Sequence, residues 1–224
     1  MTKRALILVE GQTEERFVKD VLAPEFFALE LYFERPTLLV TKRVKDGPNF
    51  KGGVTNYPKF RNDAVRLLRS PADVLVTMLL DYYALPPDFP GMDDRPPGAP
   101  LERAMHVERA IHEDLGSSPR FVPFLALHEF EAWLFSSTDE LPKALAMTQK
   151  QPAFQAIRDA VETPEDINDG PTTAPSKRIE ALFPSYKKTF HGPLTAQRIG
   201  IARIREECPH VENWFRKIEA FALA

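Results

Sequence analysis

Residues 5–15 read ALILVEGQTEE, and this stretch decides the fold. Ala5 to Val9 is a continuous apolar run with the length of a buried strand. It passes straight into Glu10-Gly11-Gln12, a turn, and then into Thr13-Glu14-Glu15, a helix start. Thr13 is the expected N-cap, with two acids in the first turn where the helix dipole favours them. The helix runs on through Phe17, Val18, Val21 and Leu22 until Pro24 interrupts it.

The same alternation continues outward. Thr37 to Val44 (TLLVTKRV) is a second β-rich run, and Tyr57 to Leu68 carries apolar residues at helical spacing. Val74 to Leu80 (VLVTMLL) is the most apolar strand candidate and ends at Asp81. Leu101 to Leu115 reads as a long helix, and Phe121 to Leu127 (FVPFLAL) as a strand that ends at His128-Glu129. Strands of five to eight residues alternating with helices predict an α/β core with a mostly parallel sheet covered on both faces, because parallel neighbours need a crossover. The expected core spans residues 1–136. Beyond it no strand-length apolar run recurs, and helical pieces are punctuated by Pro142, Pro152, Pro164, Pro171, Pro175, Pro184, Pro193 and Pro209. Residues 137–224 are therefore expected to form a helical extension packed on the core, ending in an amphipathic helix through Val211, Trp214, Phe215, Ile218 and Phe221.

Composition excludes several classes. The 224 residues are 43% hydrophobic and 27% charged, which is ordinary for a globular chain and rules out a fibre or a disordered segment. A single cysteine, Cys208, excludes an internal disulfide and a cysteine-rich zinc site and fits a reducing compartment. The apolar run at the N-terminus is too short for a signal peptide or a membrane span, so a cytoplasmic protein without membrane contact is expected. The net charge of −3 is unevenly spread: nine Lys or Arg against five Glu from Gly170 onward give +4, which leaves −7 for residues 1–169. Six of the 21 prolines fall between Pro86 and Pro100. A loop that long beside Asp81 reads as a lid, a substrate wall or a solvated insertion.

Ligands of parallel α/β sheets gather at the carboxyl ends of the strands. Here those ends are acidic: Glu10, Asp81, and Glu129 with Glu131 two residues on. Each acid alone is equally a polar strand terminus or a helix cap. Three strands delivering carboxylates to one edge would repel each other unless a cation sat among them, and hard oxygen ligands suit Mg²⁺ or Mn²⁺ in sites that act on phosphates. His128-Glu129 lacks the second histidine of a zinc site, since position 132 is Ala. No phosphate-loop motif and no Gly-x-Ser-x-Gly elbow occurs.

The segment LILVEGQTEERF resembles the first motif of the Toprim domain, shared by topoisomerases, primases and nucleases of the overcoming-lysogenization-defect class. VEGQTEERF, LLDYY.LP, LHEFEAWLF, PSKRI and CPHVENWF together resemble, over most of the chain from Leu6 to Phe215, a bacterial Toprim-related family known as domain of unknown function four-two-seven-six. The resemblance implies a Toprim-like fold and an Mg²⁺-dependent nuclease acting on nucleic acid in phage or mobile-element defence, with an ATPase partner. It implies Glu10 as metal ligand or general acid/base and Asp81 as metal ligand. The second Asp of the family's Asp-x-Asp is Tyr83 here, so Glu129 or Glu131 has to supply that oxygen. Without it, the chain reads as a non-catalytic nucleic-acid-binding or regulatory module.

Supporting positions are Glu14, four residues after Glu10, and His128. Gly11, at the start of the first helix, is a candidate phosphate contact. Lys177 and Arg178, just before a predicted helix, are candidates to stabilise transition-state charge, Lys177 as a catalytic group. Lys187, Lys188 and Arg198 are candidates for phosphate-backbone contact, and a plain surface role is the alternative for all five cations.

Overall fold

Strand β1 (Lys3–Val9) leads through Gly11 into helix α1 (Gln12–Phe17), a π-helical turn over Val18–Leu22 and α2 (Ala23–Phe27). The computed structural model describes residues 3–42, 50–51, 54, 56–83, 85–167 and 173–224. Strands β2 (Leu31–Phe33) and β3 (Thr37–Leu38) follow one another along the same side of β1, both parallel to it. Pro36, with no N–H to give the ladder, lies between them. Strands β4 (Val40–Lys42) and β5 (Phe50–Lys51) form a separate antiparallel pair.

Helix α3 (Tyr57–Leu68), capped by the Asn56 side chain, crosses to β6 (Val74–Asp81), which pairs in parallel with the other side of β1. Helix α4 (Pro100–Asp114) then leads to β7 (Phe121–Val122) and β8 (Leu125–Ala126), both parallel to β6. The spatial order is β2-β1-β6-β7. Among the described residues every pairing in this sheet is parallel, with α/β layering on both faces.

The remainder is helical: a 3₁₀ helix over Phe130–Ser136, α5 (Glu140–Ala144), α6 (Gln151–Asp159), α7 (Pro175–Leu182), α8 (Lys188–Ile199), α9 (Ile201–Glu207) and α10 (Pro209–Leu223). Four of the prolines that punctuate this region, Pro152, Pro164, Pro175 and Pro209, open helices at their first turn, where a missing N–H costs nothing.

Side-chain alternation in the two central strands divides the core. Ala5, Ile7 and Val9 of β1 and Leu75 and Leu79 of β6 pack with α1, the 3₁₀ helix and the C-terminal helices, including Phe154, Ile179, Ile204, Trp214 and Phe215. Leu8, Val76, Met78 and Leu80 face α3 and α4. The described C-terminal helices thus share a core with the sheet.

Several expectations are corrected. Thr13 is not the N-cap: Gly11 occupies that position in extended conformation, and Thr13 is buried. Pro24 does not end the first helix; the widened π turn immediately before it precedes a helical continuation to Phe27. Strand β2 is only three residues, too short to show a period. Pro123 divides the expected strand 121–127 into β7 and β8, and the run 37–44 is split between two sheets, with Arg43 and Val44 outside the described residues. Ala84 and Pro171 also lie outside them.

The proline-rich segment after Asp81 is anchored by three side chains and open to solvent elsewhere, with Asp88, Asp93, Asp94, Arg95 and Pro97 exposed. Leu85, Phe89 and Met92 are buried in the α3–α4 core, and Asp88 accepts the Tyr57 N–H at 3.0 Å, at the start of α3. Burial of three large side chains holds it on the sheet face away from α8.

Helix α10 is fastened by buried polar contacts. The Trp214 indole N–H donates to Thr77 Oγ1 at 2.9 Å while its ring stacks on Phe124, with centroids 4.4 Å apart. His210 Nε2 lies 2.9 Å from Glu108 Oε1, which also accepts the Leu125 N–H, and the His210 backbone N–H donates to Glu165 Oε2 at 2.8 Å. His210 is therefore a core residue.

Glu165 is 3% exposed, and burial pushes its carboxyl up from 4.5 to about 7 despite the His210 N–H. Between these values the folded chain binds more protons than the unfolded one, so this group makes stability fall as pH rises from about 4.5 to about 7. His210 acts in the same direction: burial opposes its charge, but the Glu108 hydrogen bond and charge raise it. We expect Glu165→Gln to flatten part of this slope, by about 1–3 kcal/mol across the window, in urea midpoints measured from about pH 4 to pH 8. An identical slope in the variant would show that Glu165 ionises freely in the fold.

Candidate functional site

Glu10 follows β1 directly and Asp81 ends β6, and the register that opposes Val9 to Leu79 sets them side by side at the carboxyl edge of the sheet. The Asp81 backbone N–H donates to Glu10 Oε2 at 3.3 Å. Glu14, buried in the first turn of α1, is close enough to raise both the Asp81 carboxyl and, through Glu10, its own. On the other side of β6, β8 pairs Ala126 with Asp81, and the chain beyond it brings Glu129 to the start of the 3₁₀ helix and Glu131 into its first turn. Five carboxylates from three chain segments therefore share one edge.

Among the described residues a single lysine enters this cluster. Lys188, the first residue of α8, places its Nζ 2.7 Å from Glu129 Oε1 and 3.5 Å from Glu131 Oε2. Glu129 Oε2 accepts the Ser176 N–H at 3.0 Å, and the Tyr186 hydroxyl donates to Glu131 Oε1 at 3.4 Å. Helix α8 reaches this depth because residue 192 is glycine. A Cβ there would stand 3.1 Å from Phe130, 3.3 Å from the Tyr186 hydroxyl and 3.5 Å from Thr13.

Burial and crowding dominate the electrostatics. Burial first, then Glu10, Glu14, Glu131 and Glu129, push the Asp81 carboxyl far above the ordinary range. Glu10 is raised chiefly by burial, against the pull of the Asp81 N–H and Lys188. Burial lifts Glu14 to about 7, with Glu10 adding to it, and lifts Glu131 to about 7 against the Lys188 charge. Glu129 differs: burial would raise it, yet the charge and hydrogen bond of Lys188 with the Ser176 N–H hold it below its ordinary value. Lys188 is raised despite burial, by Glu131 and Glu129 with a share from Asp81. Asp81 Oδ1 is buried without a hydrogen-bond partner among the described residues.

Glu10, Glu14, Asp81, Glu129, Glu131 and Lys188 are thus brought together. Other candidates stand elsewhere. Lys177 pairs with Glu180 at 2.7 Å and Arg178 Nε donates to the Thr173 carbonyl, so their segment reaches the cluster through the Ser176 N–H and not through a cation. Lys187 is exposed beside the cluster, and Arg198 lies at the far end of α8, about 15 Å along the axis from Lys188. Gly11 caps α1, and its carbonyl accepts the Glu15 N–H. His128 is buried. Tyr83 points its ring to solvent, 51% exposed, and adds nothing to the cluster. Tyr186 lies in no quoted motif, and Ser176, though inside PSKRI, acts through its backbone N–H, so contact across the fold reveals both. Among the described residues, no group of three His, Cys, Asp or Glu side chains is arranged to hold a metal ion as it stands.

A family model described as Domain of unknown function (DUF4276) matches residues 9–219. The chain belongs to that family. No curated protein matches it. Two solved structures resemble it. One is the C-terminal region of the Burkholderia pseudomallei OLD protein, 16% identical over 99% of this chain and 100% of that one, with a TM-score of 0.45. The other is the C-terminal region of the Xanthomonas campestris pv. campestris OLD protein, 17% identical over 98% and 96%, with a TM-score of 0.35. For this DUF4276 chain the family assignment rests on the sequence match. Among the described residues no helix is long and apolar enough to cross a membrane.

The seat of α8 is testable in isolation. Gly192→Val has to push Phe130 and Tyr186 aside and is expected to lower unfolding free energy by about 1–3 kcal/mol in urea titrations, with Gly192→Ala milder. An unchanged midpoint for the valine variant would mean that α8 has room to spare.

Proposed function

We propose that this DUF4276 chain is a divalent-cation-dependent phosphodiesterase acting on nucleic acid. The observation that carries the reading is the Asp81 carboxylate, whose Oδ1 is buried without a hydrogen-bond partner among the described residues and which burial first, and four neighbouring acids after it, push upward. Such a group is costly unless a cation offsets it. The donors are all oxygens, which suits Mg²⁺ or Mn²⁺. Glu10 and Asp81 would hold the ion, with Glu14, Glu129 or Glu131 turning in to complete the set, since among the described residues no three converge as they stand. Such an ion polarises a phosphoryl oxygen and activates water.

The chain's own residues supply the rest. The Asp81 N–H orients Glu10, and the Ser176 N–H with Lys188 orients Glu129. Lys188, already at the carboxylates, is better placed than Lys177 to meet the charge that develops on a transferring phosphoryl group. By the Toprim-like resemblance, the activity would serve defence against phage or mobile elements with an ATPase partner.

A second reading has support of its own. Lys188 already lies between Glu129 and Glu131, and Tyr83 stands where the Toprim pattern has its second Asp. Both features suit a binding module that neutralises the old cluster internally.

Cleavage of plasmid and oligonucleotides with Mg²⁺ or Mn²⁺ separates the two. We expect wild type to cleave, and Glu10→Gln and Asp81→Asn to lose at least about 100-fold, since even groups behind a metal ligand cost 10–100-fold. Without metal, Asp81→Asn should melt no lower than wild type because it removes buried like-charge repulsion. Mn²⁺ should raise the wild-type midpoint more than that of either variant. Absence of cleavage and of any metal-dependent midpoint shift would leave the binding module.

A further inference from the structure

The edge that carries the carboxylates also carries two aromatic rings turned to water. Tyr83 is two residues beyond Asp81 and 51% exposed; Phe190 is two residues beyond Lys188 on α8 and 53% exposed. Single exposed apolar side chains are ordinary on a protein surface, but of the six large ones exposed among the described residues these two each stand two residues from a member of the same cluster. Phe190 is held in place. The Arg16 guanidinium lies over its ring at 6.0 Å and donates to the Thr189 carbonyl at 2.8 Å, while the His191 ring meets it edge-on at 5.1 Å. Lys187 adds an exposed cation whose side chain makes no ion pair among the described residues.

We infer that these rings are stacking platforms and that the substrate is single-stranded nucleic acid, or an unpaired segment of a duplex. A duplex keeps its base faces stacked on one another and shows a ring only edges and phosphates. Unpaired bases offer faces to any aromatic side chain, whatever their sequence. Lys187 supplies attraction for the phosphates, which is blind to strandedness, with Arg16, 3.6 Å from Asp20, adding less, while the rings supply the selection. This inference rests on the reading of the cluster as a phosphodiesterase site.

Binding is measured by fluorescence anisotropy with a labelled oligothymidylate and a labelled hairpin duplex of equal length, in Ca²⁺ and in EDTA, so that cleavage does not enter. Wild type should bind the single strand more tightly. Tyr83→Ala and Phe190→Ala should each weaken it roughly fivefold or more and leave the duplex nearly unchanged, from the usual worth of one base–ring stack. Tyr83→Phe and Phe190→Tyr should restore single-strand binding. Lys187→Ala should weaken both forms alike and reduce the salt dependence. Both rings are exposed, and urea midpoints equal to wild type confirm that the variants fold.

Equal binding of the two forms by wild type, no binding of either, or parallel losses on both forms in the ring variants would overturn the inference. Ring-dependent single-strand binding without cleavage by wild type would retain it and sink the phosphodiesterase reading. Cleavage with ring-independent binding would do the reverse.

Discussion

Mutual repulsion among crowded carboxylates at the carboxyl edge of the sheet, two of them buried and three partly so, is the constraint from which the rest of this structure follows. Glu10, Glu14, Asp81, Glu129 and Glu131 are drawn from a strand end and its following helix, a second strand end, and the turn after a third. Isolated ions in such a place cost several kcal/mol each, and proteins respond by protonating them, pairing them or giving them a metal. The described fold does the first two. Burial leaves Glu14 and Glu131 with carboxyls near 7, and Lys188 is spent on Glu129 and Glu131.

That compensation explains why the C-terminal helices are inseparable from the sheet. The only lysine at the cluster among the described residues arrives on α8, and α8 can approach only because Gly192 has no side chain and because Tyr186 and Phe130 close around it. Helix α10 locks the same face through Trp214 on Thr77 and His210 on Glu108, and Glu108 in turn holds the Leu125 N–H at the start of β8. The strand that leads to Glu129 is thus gripped from two helices. Of the basic last part of the chain Lys188 meets this acidic edge, while Lys177, Arg203, Arg205 and Arg216 pair with glutamates of their own region.

The central strands were legible in the sequence because a buried parallel strand is a continuous apolar run, and Val74 to Leu80 and Ala5 to Val9 have no polar interruption except Thr77. Their acidic ends were legible for the same reason, since a charge after such a run marks where the strand meets water. What escaped notice was set by contacts far apart in the chain. Strand β2 has three residues and exists because β1 offers it an edge. The Pro24 helix continues because a π turn precedes it, a feature no local propensity announces. Lys177 and Lys188 look alike as cations near helix starts, yet Glu180, three residues on, holds one at the surface, and the close seat of α8 carries the other inward. The proline-rich segment looked like a free loop because proline count says nothing of Leu85, Phe89 and Met92 finding a core.

The two readings of the cluster differ in what Lys188 is for, and the physics sets them against each other. As the one ammonium among five acids in the described residues, it makes the fold tolerable without a metal ion, and its pairing with Glu129 and Glu131 withholds oxygens that a divalent ion would need. Asp81 gains little from that pairing, because Lys188 contacts the other two acids and Asp81 Oδ1 stays unpartnered. A cluster meant only to be neutral would place its cation in contact with Asp81, the acid that four other carboxylates crowd. This one sets Lys188 against Glu129 and Glu131, and its charge reaches Glu10 and Asp81 only from beyond ion-pair contact. The residual demand for positive charge therefore centres on the Glu10–Asp81 pair, where the proposed ion would sit and act with the lysine on one phosphate.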